Sequence, residues 1–202
     1  MGSNATFYIG FALSLLALLF NIVGFCTPNW YEKSDIRDSH GFVRCGLWEF
    51  CLDNYKNPDD LLAKPYSGCW WVYSPEYWWM RDHLMPPWFI ACQYLSLIAV
   101  FVFMTASFAE GGFLFQCCET DSSALKISGG ISIAAALLEG IIVTVFGTIT
   151  KDGRTWMPDP DNNRVSWSFG LAVLSAFLAL FSGMLMLLTR AQLSDETKAE
   201  MK

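Results

Sequence analysis

Residues that could perform chemistry are scarce in this sequence. The two histidines, His40 and His83, lie in one polar stretch and lack the spacing of a metal site. No nucleophile paired with a base, phosphate-binding loop or dinucleotide-binding fingerprint occurs in the chain. We therefore expect a protein that is not an enzyme and that holds neither a metal nor a cofactor.

Cysteine is the exception, because the positions of the seven cysteines are informative. Cys45, Cys51 and Cys69 share one polar stretch, as a small extracellular fold closed by a disulfide requires. Three cysteines allow three pairings, and the spacing alone leaves the choice open. Cys117 and Cys118 are adjacent and follow an apolar run, so they are candidates for S-palmitoylation, with unmodified thiols as the alternative.

The distribution of charge defines the elements that would position these residues. Four apolar runs together contain one charged residue, Glu139. Each is about as long as the roughly 20 residues that a helix needs to cross the hydrocarbon of a bilayer. Because backbone in hydrocarbon has to be helical, we predict four transmembrane helices. The runs are Phe7–Cys26, Trp88–Ala109, Ile127–Ile149 and Phe169–Thr189.

Composition and charge exclude two other classes of protein. Hydrophobic residues make up 53% and charged residues 16%, which excludes a disordered chain. The net charge of -6 provides no basic surface for a nucleic acid.

The sidedness of the chain follows from two conflicting signals. Most of the 13 Lys and Arg residues lie in the polar intervals 27–87 and 150–168, and few lie in interval 110–126 or at the termini. The positive-inside rule alone would put the termini outside, but it weakens for long loops. The clustered cysteines favour an oxidising exterior for the first interval, so we predict cytosolic termini.

The two larger polar intervals contain strand-like segments. Residues 42–44, 47–51 and 69–73 are rich in aromatic and β-branched residues, and a further short strand is expected near 164–167. We predict an integral membrane protein, mainly α, with a four-transmembrane-helix bundle and a small extracellular antiparallel β-sheet. It would form a single domain over residues 1–202.

A motif in the first interval suggests a family. Trp30 directly follows the first run, Gly46, Leu47 and Trp48 precede Cys51, and Arg81 precedes the second run. This W…GLWxxC…C pattern resembles that of the claudin and peripheral myelin protein superfamily. Segments 68–73 and 85–90 are most similar to the invertebrate claudin-like proteins of septate junctions.

The resemblance carries structural and functional expectations. It implies a disulfide between Cys51 and Cys69, and that Trp30 and Trp48 seat the sheet on the helix bundle. It also implies a cell–cell junction protein of the plasma membrane, with the lipid bilayer, copies of itself and other junction proteins as partners. By lateral and trans self-association it would form or organise a paracellular barrier of the septate- or tight-junction type. The alternative within the superfamily is an auxiliary subunit of an ion channel or receptor.

Aromatic residues in the loops are candidates for contacts with other proteins. Members of the family that conduct cations carry acids near the second loop cysteine, whereas here aromatic residues follow Cys69 and the nearest acid is Glu76. This favours a barrier or adhesive face. The alternative is that the tryptophans pack under the sheet. The candidates are Trp70, Trp71, Trp78 and Trp79, with Glu76, in the first loop and Trp156, Met157 and Pro158 in the second.

Two further expectations concern the interior of the membrane. Counting residues along each run places Asn21, Gln93 and Ser175 at about the depth of Glu139, which predicts a buried hydrogen-bonded layer. The alternative is a Glu139 that meets lipid or water alone. Small residues every four positions from Ser128 to Thr148, with Gly140 among them, predict that the third helix packs closely. Because a strict four-residue step drifts by about 40° per step, the stripe would wrap around the helix and touch more than one neighbour.

Overall fold

A computed structural model describes residues 3–34, 41–57, 64–114, 122–152 and 156–200. Four long helices each contain one predicted run, and each is long and apolar enough to cross a membrane. They are α1 (Ser3–Cys26), α3 (Pro87–Leu114), α4 (Ser122–Asp152) and α5 (Trp167–Glu200), and a short α2 (Arg81–Leu84) precedes α3. The predicted fold class is confirmed.

The polar intervals form a five-stranded antiparallel sheet. Its strands are β1 (Tyr31–Lys33), β2 (Gly41–Cys45), β3 (Glu49–Lys56), β4 (Pro65–Trp71) and β5 (Asn163–Val165). Their order is β4-β3-β2-β1-β5, so β4 and β5 are the edges. The segment predicted at 47–51 instead begins β3 at Glu49, because residues 46–48 form the turn after β2.

Each long helix buries a line of residues whose spacing alternates between three and four. In α1 the line is Ser3, Phe7, Gly10, Ser14, Ala17, Asn21 and Gly24. This mean spacing of 3.5 residues is the period of left-handed helix packing. The line is rich in small and polar residues, as expected for helices that meet inside a membrane. Large apolar residues such as Phe101, Phe108 and Leu137 are exposed on other faces.

Residues Met1–Ile22, Leu97–Ile141 and Val173–Lys202 form one compact unit, here called the helical unit. Within it, the backbones of α4 and α5 approach each other closely at Gly129 and Gly183. A Cβ atom on Gly183 would lie 2.7 Å from the carbonyl oxygen of Gly129, and one on Gly129 would lie 2.9 Å from that of Gly183. These two positions therefore require glycine.

The predicted four-residue stripe on α4 is wrong beyond its first half. Ser128 and Ser132 are buried, but Thr144 and Thr148 are exposed. A Cβ atom on Gly140 would meet nothing within 4 Å. The reason is that a strict four-residue step advances by about 40° per step around a helix of 3.6 residues per turn. The stripe therefore leaves the buried face.

Residues Val23–Ser96 and Ile142–Ala172 form the second compact unit, here called the sheet unit. It contains all five strands and a cluster of aromatic rings around Trp30, which is 1% exposed. The Trp30 ring packs edge-on against Phe146 and Phe169, at centroid distances of 4.9 and 5.8 Å. Its Nε1 donates a hydrogen bond of 2.7 Å to the carbonyl of Gly24 near the end of α1.

We predict that Gly183→Val strongly impairs folding, because the added side chain would force the backbones of α4 and α5 apart. The expected loss of stability is about 1–3 kcal/mol or more, the range for overpacked interiors. Thermal unfolding of the purified protein in detergent measures it. Gly140→Val is the matched control and should change the melting temperature little, and equal losses in the two variants would contradict the prediction.

Candidate interaction surface

The hairpin of β3 and β4 carries the disulfide. Cys51 lies opposite Cys69 in the antiparallel register, and the two are bonded across a sequence separation of 18. The pairing implied by the resemblance is thus confirmed. A cross-link of this size stabilises a fold by roughly 3 kcal/mol in the chain-entropy model. Cys45 is a buried free thiol, and burial raises its pKa well above the usual value, so it stays protonated.

The motif glycine shapes the turn between β2 and β3. The amide of Gly46 donates a hydrogen bond of 2.9 Å to the carbonyl of Glu49 and closes the turn. A Cβ atom on Gly46 would lie 2.6 Å from the Cα of Pro28, so only glycine lets the turn pass this close to the chain after α1. Leu47, next in the turn, is fully buried.

Gln93 fastens this turn to α3. Its Nε2 donates a hydrogen bond to the carbonyl of Leu47, and its Oε1 accepts one of 3.5 Å from the hydroxyl of Tyr73. The prediction that Gln93 joins a polar layer with Glu139 is therefore wrong. Gln93 lies near the start of α3, and its amide provides a hydrogen-bond partner for the buried backbone of the first loop.

The remaining motif residues also hold backbone in place. The Arg81 guanidinium donates hydrogen bonds of 3.2–3.4 Å to the carbonyls of Val72, Tyr73 and Ser74, and it lies 5.1 Å from the centroid of the Trp78 ring. Trp48 packs edge-on against Phe25 of α1, at 5.2 Å. Together with the contacts of Trp30, this agrees with the expectation that the motif tryptophans seat the sheet on helix ends.

Four tryptophans on and after β4 are exposed, and we refer to them together as the tryptophan surface. The exposed fractions are 45% for Trp70, 57% for Trp71, 63% for Trp78 and 84% for Trp79. β4 is an edge strand, so its outer edge pairs with no other strand among the described residues. The predicted contact candidates in the first loop are therefore accessible.

The first acid that follows Cys69 in the sequence is already paired. Glu76 forms an ion pair of 2.9 Å with Lys64, although both side chains are partly exposed and such pairs add little stability. Tyr77 is buried, and burial, followed by the charges of Glu76 and Glu49, raises its pKa. Its neutral hydroxyl donates a hydrogen bond of 3.0 Å to the carbonyl of Phe50.

The predicted contact residues of the second loop lie inside the sheet unit. Trp156 is 8% exposed and Met157 is 5% exposed, so neither presents the surface expected of a contact residue. The Trp156 indole donates a hydrogen bond of 3.2 Å to the carbonyl of Leu84 and packs 4.9 Å from Trp88. The prediction that Trp156 and Met157 are contact residues is therefore wrong, because burying their large apolar side chains stabilises the fold. Pro158 is half-buried.

The sequence analysis did not predict an ion pair that joins the two loops. Glu32 of β1 and Arg164 of β5 lie opposite each other, and one carboxylate oxygen accepts two hydrogen bonds of 3.0 and 3.1 Å from the guanidinium. The hydroxyl of Ser166 binds the other oxygen at 2.7 Å. The signal was present as opposite charges on two strand-like segments, but the pairing of those segments was not evident.

Two of the acidic residues that the structure describes in the helical unit, Glu110 and Glu139, are buried. Asn21 Nδ2 donates a hydrogen bond of 3.1 Å to Glu139, so this expected pair is present, and Ser175 is fully buried. Glu110 was missed because α3 extends to Leu114, beyond the predicted run. It is fully buried and accepts a hydrogen bond of 3.0 Å from Ser132.

Potential metal ligands come together at one place among the described residues. Glu49, Cys51 and Cys69 present ligand atoms within 4.8 Å of one another. The two sulfurs are bonded to each other and cannot act as thiolate ligands, so this donor set does not suit a metal. The candidates for palmitoylation, Cys117 and Cys118, lie outside the described residues.

Four candidate membrane spans and an antiparallel sheet with a disulfide between two of its strands are together typical of one class of membrane proteins. The family described as PMP-22/EMP/MP20/Claudin tight junction matches residues 15–188, and the chain belongs to that family. It is therefore a claudin-like, multi-pass membrane protein of cell junctions, from a structural rather than enzymatic family. A comparison with curated proteins found no matching sequence.

We predict that Glu139→Gln is tolerated and that Glu139→Leu is not. Glutamine keeps an oxygen that accepts the hydrogen bond from Asn21, whereas leucine leaves the Asn21 amide unpaired in a buried site. An unsatisfied buried donor costs about 1–3 kcal/mol. Thermal unfolding and delivery to the cell surface report the difference. Equal behaviour of the two variants would show that the pair contributes nothing to the fold.

Proposed function

We propose that this claudin-like protein forms or organises a paracellular barrier by lateral and trans self-association. It would lie in the plasma membrane at cell–cell contacts, with the sheet outside and both termini in the cytosol. The similarity of segments 68–73 and 85–90 to invertebrate relatives favours the septate-junction type.

The tryptophan surface is the observation that supports this proposal. Trp71 and Trp79 are more than half exposed, and large apolar side chains left exposed outside the helices are candidates for contacts with a partner. Tryptophan is also enriched among the residues that dominate protein–protein binding energy. The surface belongs to an edge strand and the segment after it, so a neighbouring molecule can approach it.

The balanced charge of the first acid after Cys69 favours a barrier over a cation pore, although the Glu49 carboxylate also lies within 4.8 Å of the disulfide sulfurs. Selection for cations needs carboxylates that line the permeation path. The first acid after Cys69 is Glu76, and its charge is balanced by Lys64. The intervening residues Trp70 and Trp71 are apolar and would oppose hydrated ions.

We predict that the double variant Trp71→Ser/Trp79→Ser reaches the cell surface normally but is enriched at cell–cell contacts several-fold less than the parent. Both rings are exposed, so the fold loses little when they are removed. Fluorescence imaging of the tagged protein in cells without their own junctions measures the enrichment.

Trp167→Ser is the matched control, since Trp167 is 52% exposed at the start of α5. Undiminished enrichment of the double variant would contradict the role of the tryptophan surface. A parent protein that shows no enrichment at contacts and instead co-purifies with an ion channel would favour the auxiliary-subunit alternative.

A second prediction tests the sidedness. In a Cys26→Ser background, a membrane-impermeant maleimide should label Cys51 and Cys69 on intact cells only after reduction, because their disulfide would lie outside. The background is needed because Cys26 is exposed at the end of α1. Mass spectrometry of the labelled peptides gives the result. No labelling after reduction would place the sheet in the cytosol, and labelling without reduction would refute the bond.

A further inference from the structure

A cavity of about 700 Å³ opens on the sheet unit. Its size is within the range of pockets that bind small molecules. Gly147, Thr150 and Lys151 of α4 and Phe169 of α5 contribute to its lining. The lining from the strand side comes from Tyr31, Pro160, Asp161, Asn163, Arg164 and Val165.

The lining combines apolar surface with an available positive charge. Val165 is exposed and Phe169 half-buried, and Gly147 adds no side chain. Lys151 is exposed and forms no ion pair with any side chain that the structure describes. The charge of Arg164, by contrast, is balanced by Glu32.

The position of the cavity in the chain places it at a membrane boundary. Lys151 is the last residue of one candidate span, Ser123–Lys151, and Phe169 is the third residue of another, Trp167–Ala199. Lipid headgroups lie at the ends of such spans, within reach of a lysine at that position. The apolar residues of the lining lie where acyl chains or the glycerol backbone begin.

We propose that this cavity is a binding site for a membrane phospholipid of the phosphatidylcholine type, whose phosphate pairs with Lys151. Phe169 and Val165 contact the apolar part of the lipid beside its glycerol backbone. Asp161, the one acid in the described lining, is exposed and suits the quaternary ammonium group. The site is independent of the tryptophan surface and of the proposed junction function.

Native mass spectrometry of the full chain tests the proposal. The protein is purified in detergent and supplied with phosphatidylcholine or with a monogalactosyl lipid that has the same acyl chains and no phosphate. We expect one phosphatidylcholine to be retained at a concentration where the galactolipid is not. Lys151→Gln should weaken retention by about tenfold, since a hydrogen bond to a charged group contributes that much or more. Lys151→Arg should restore it.

Lys126→Gln is the matched control, because Lys126 is an exposed lysine near the other end of the same helix. Equal loss in Lys126→Gln and Lys151→Gln would indicate general attraction to lipid and overturn the proposal. Equal retention of the galactolipid would overturn the role of phosphate. Displacement of the lipid by water-soluble glycerophosphocholine at the same concentration would overturn the role of the acyl chains and indicate a site for a soluble phosphodiester.

Discussion

The absence of water from bilayer hydrocarbon is the constraint on which the rest of this structure depends. Buried polar groups there have to find partners within the protein. In the helical unit, Asn21 binds Glu139, Ser132 binds Glu110, Ser14 pairs with Ser107, and Ser182 donates to the carbonyl of Gly10. These hydrogen bonds join different helices, so the same groups that are costly in lipid also specify which helix faces lie together.

The family motif obeys the same rule at the ends of the helices. Arg81 and Trp30 of the motif, together with Gln93 of α3, donate hydrogen bonds from side chains to backbone carbonyls in or next to the first loop. Backbone carbonyls in a buried loop are costly when unpaired. The motif is therefore best explained as a set of anchors for the loop backbone. Trp71 and Trp79 do not belong to this motif, and their exposed side chains are available for contacts with other proteins.

The sequence predicted those features that depend on one residue pattern. The four spans followed from apolar runs that together contain one charge, and the pairing of Cys51 with Cys69 followed from the family motif. Depth along the runs also brought Asn21 and Glu139 together. The same depth argument failed for Gln93, because depth does not say which way a side chain points. Glu110 was missed because a charge was taken to end a run, whereas here a serine on another helix donates a hydrogen bond to the buried carboxyl group.

Features that depend on tertiary packing could not be derived from one chain. Trp156 and Met157 have the composition of a contact motif, but the short second loop buries them among aromatic rings. Gly129 and Gly183 belong to different helices, and nothing in their local sequence indicates that they meet.

The buried and the exposed tryptophans therefore differ in how they pack and not in residue type. Trp30 and Trp156 have indole N–H groups that donate to backbone carbonyls, and both are almost fully buried. Trp78 and Trp79 follow β4 closely in the chain, yet most of each side chain is exposed. Keeping several large apolar rings in water lowers solubility unless something covers them. Their exposure shortly after the edge strand β4 is a feature that the stability of the fold alone does not explain.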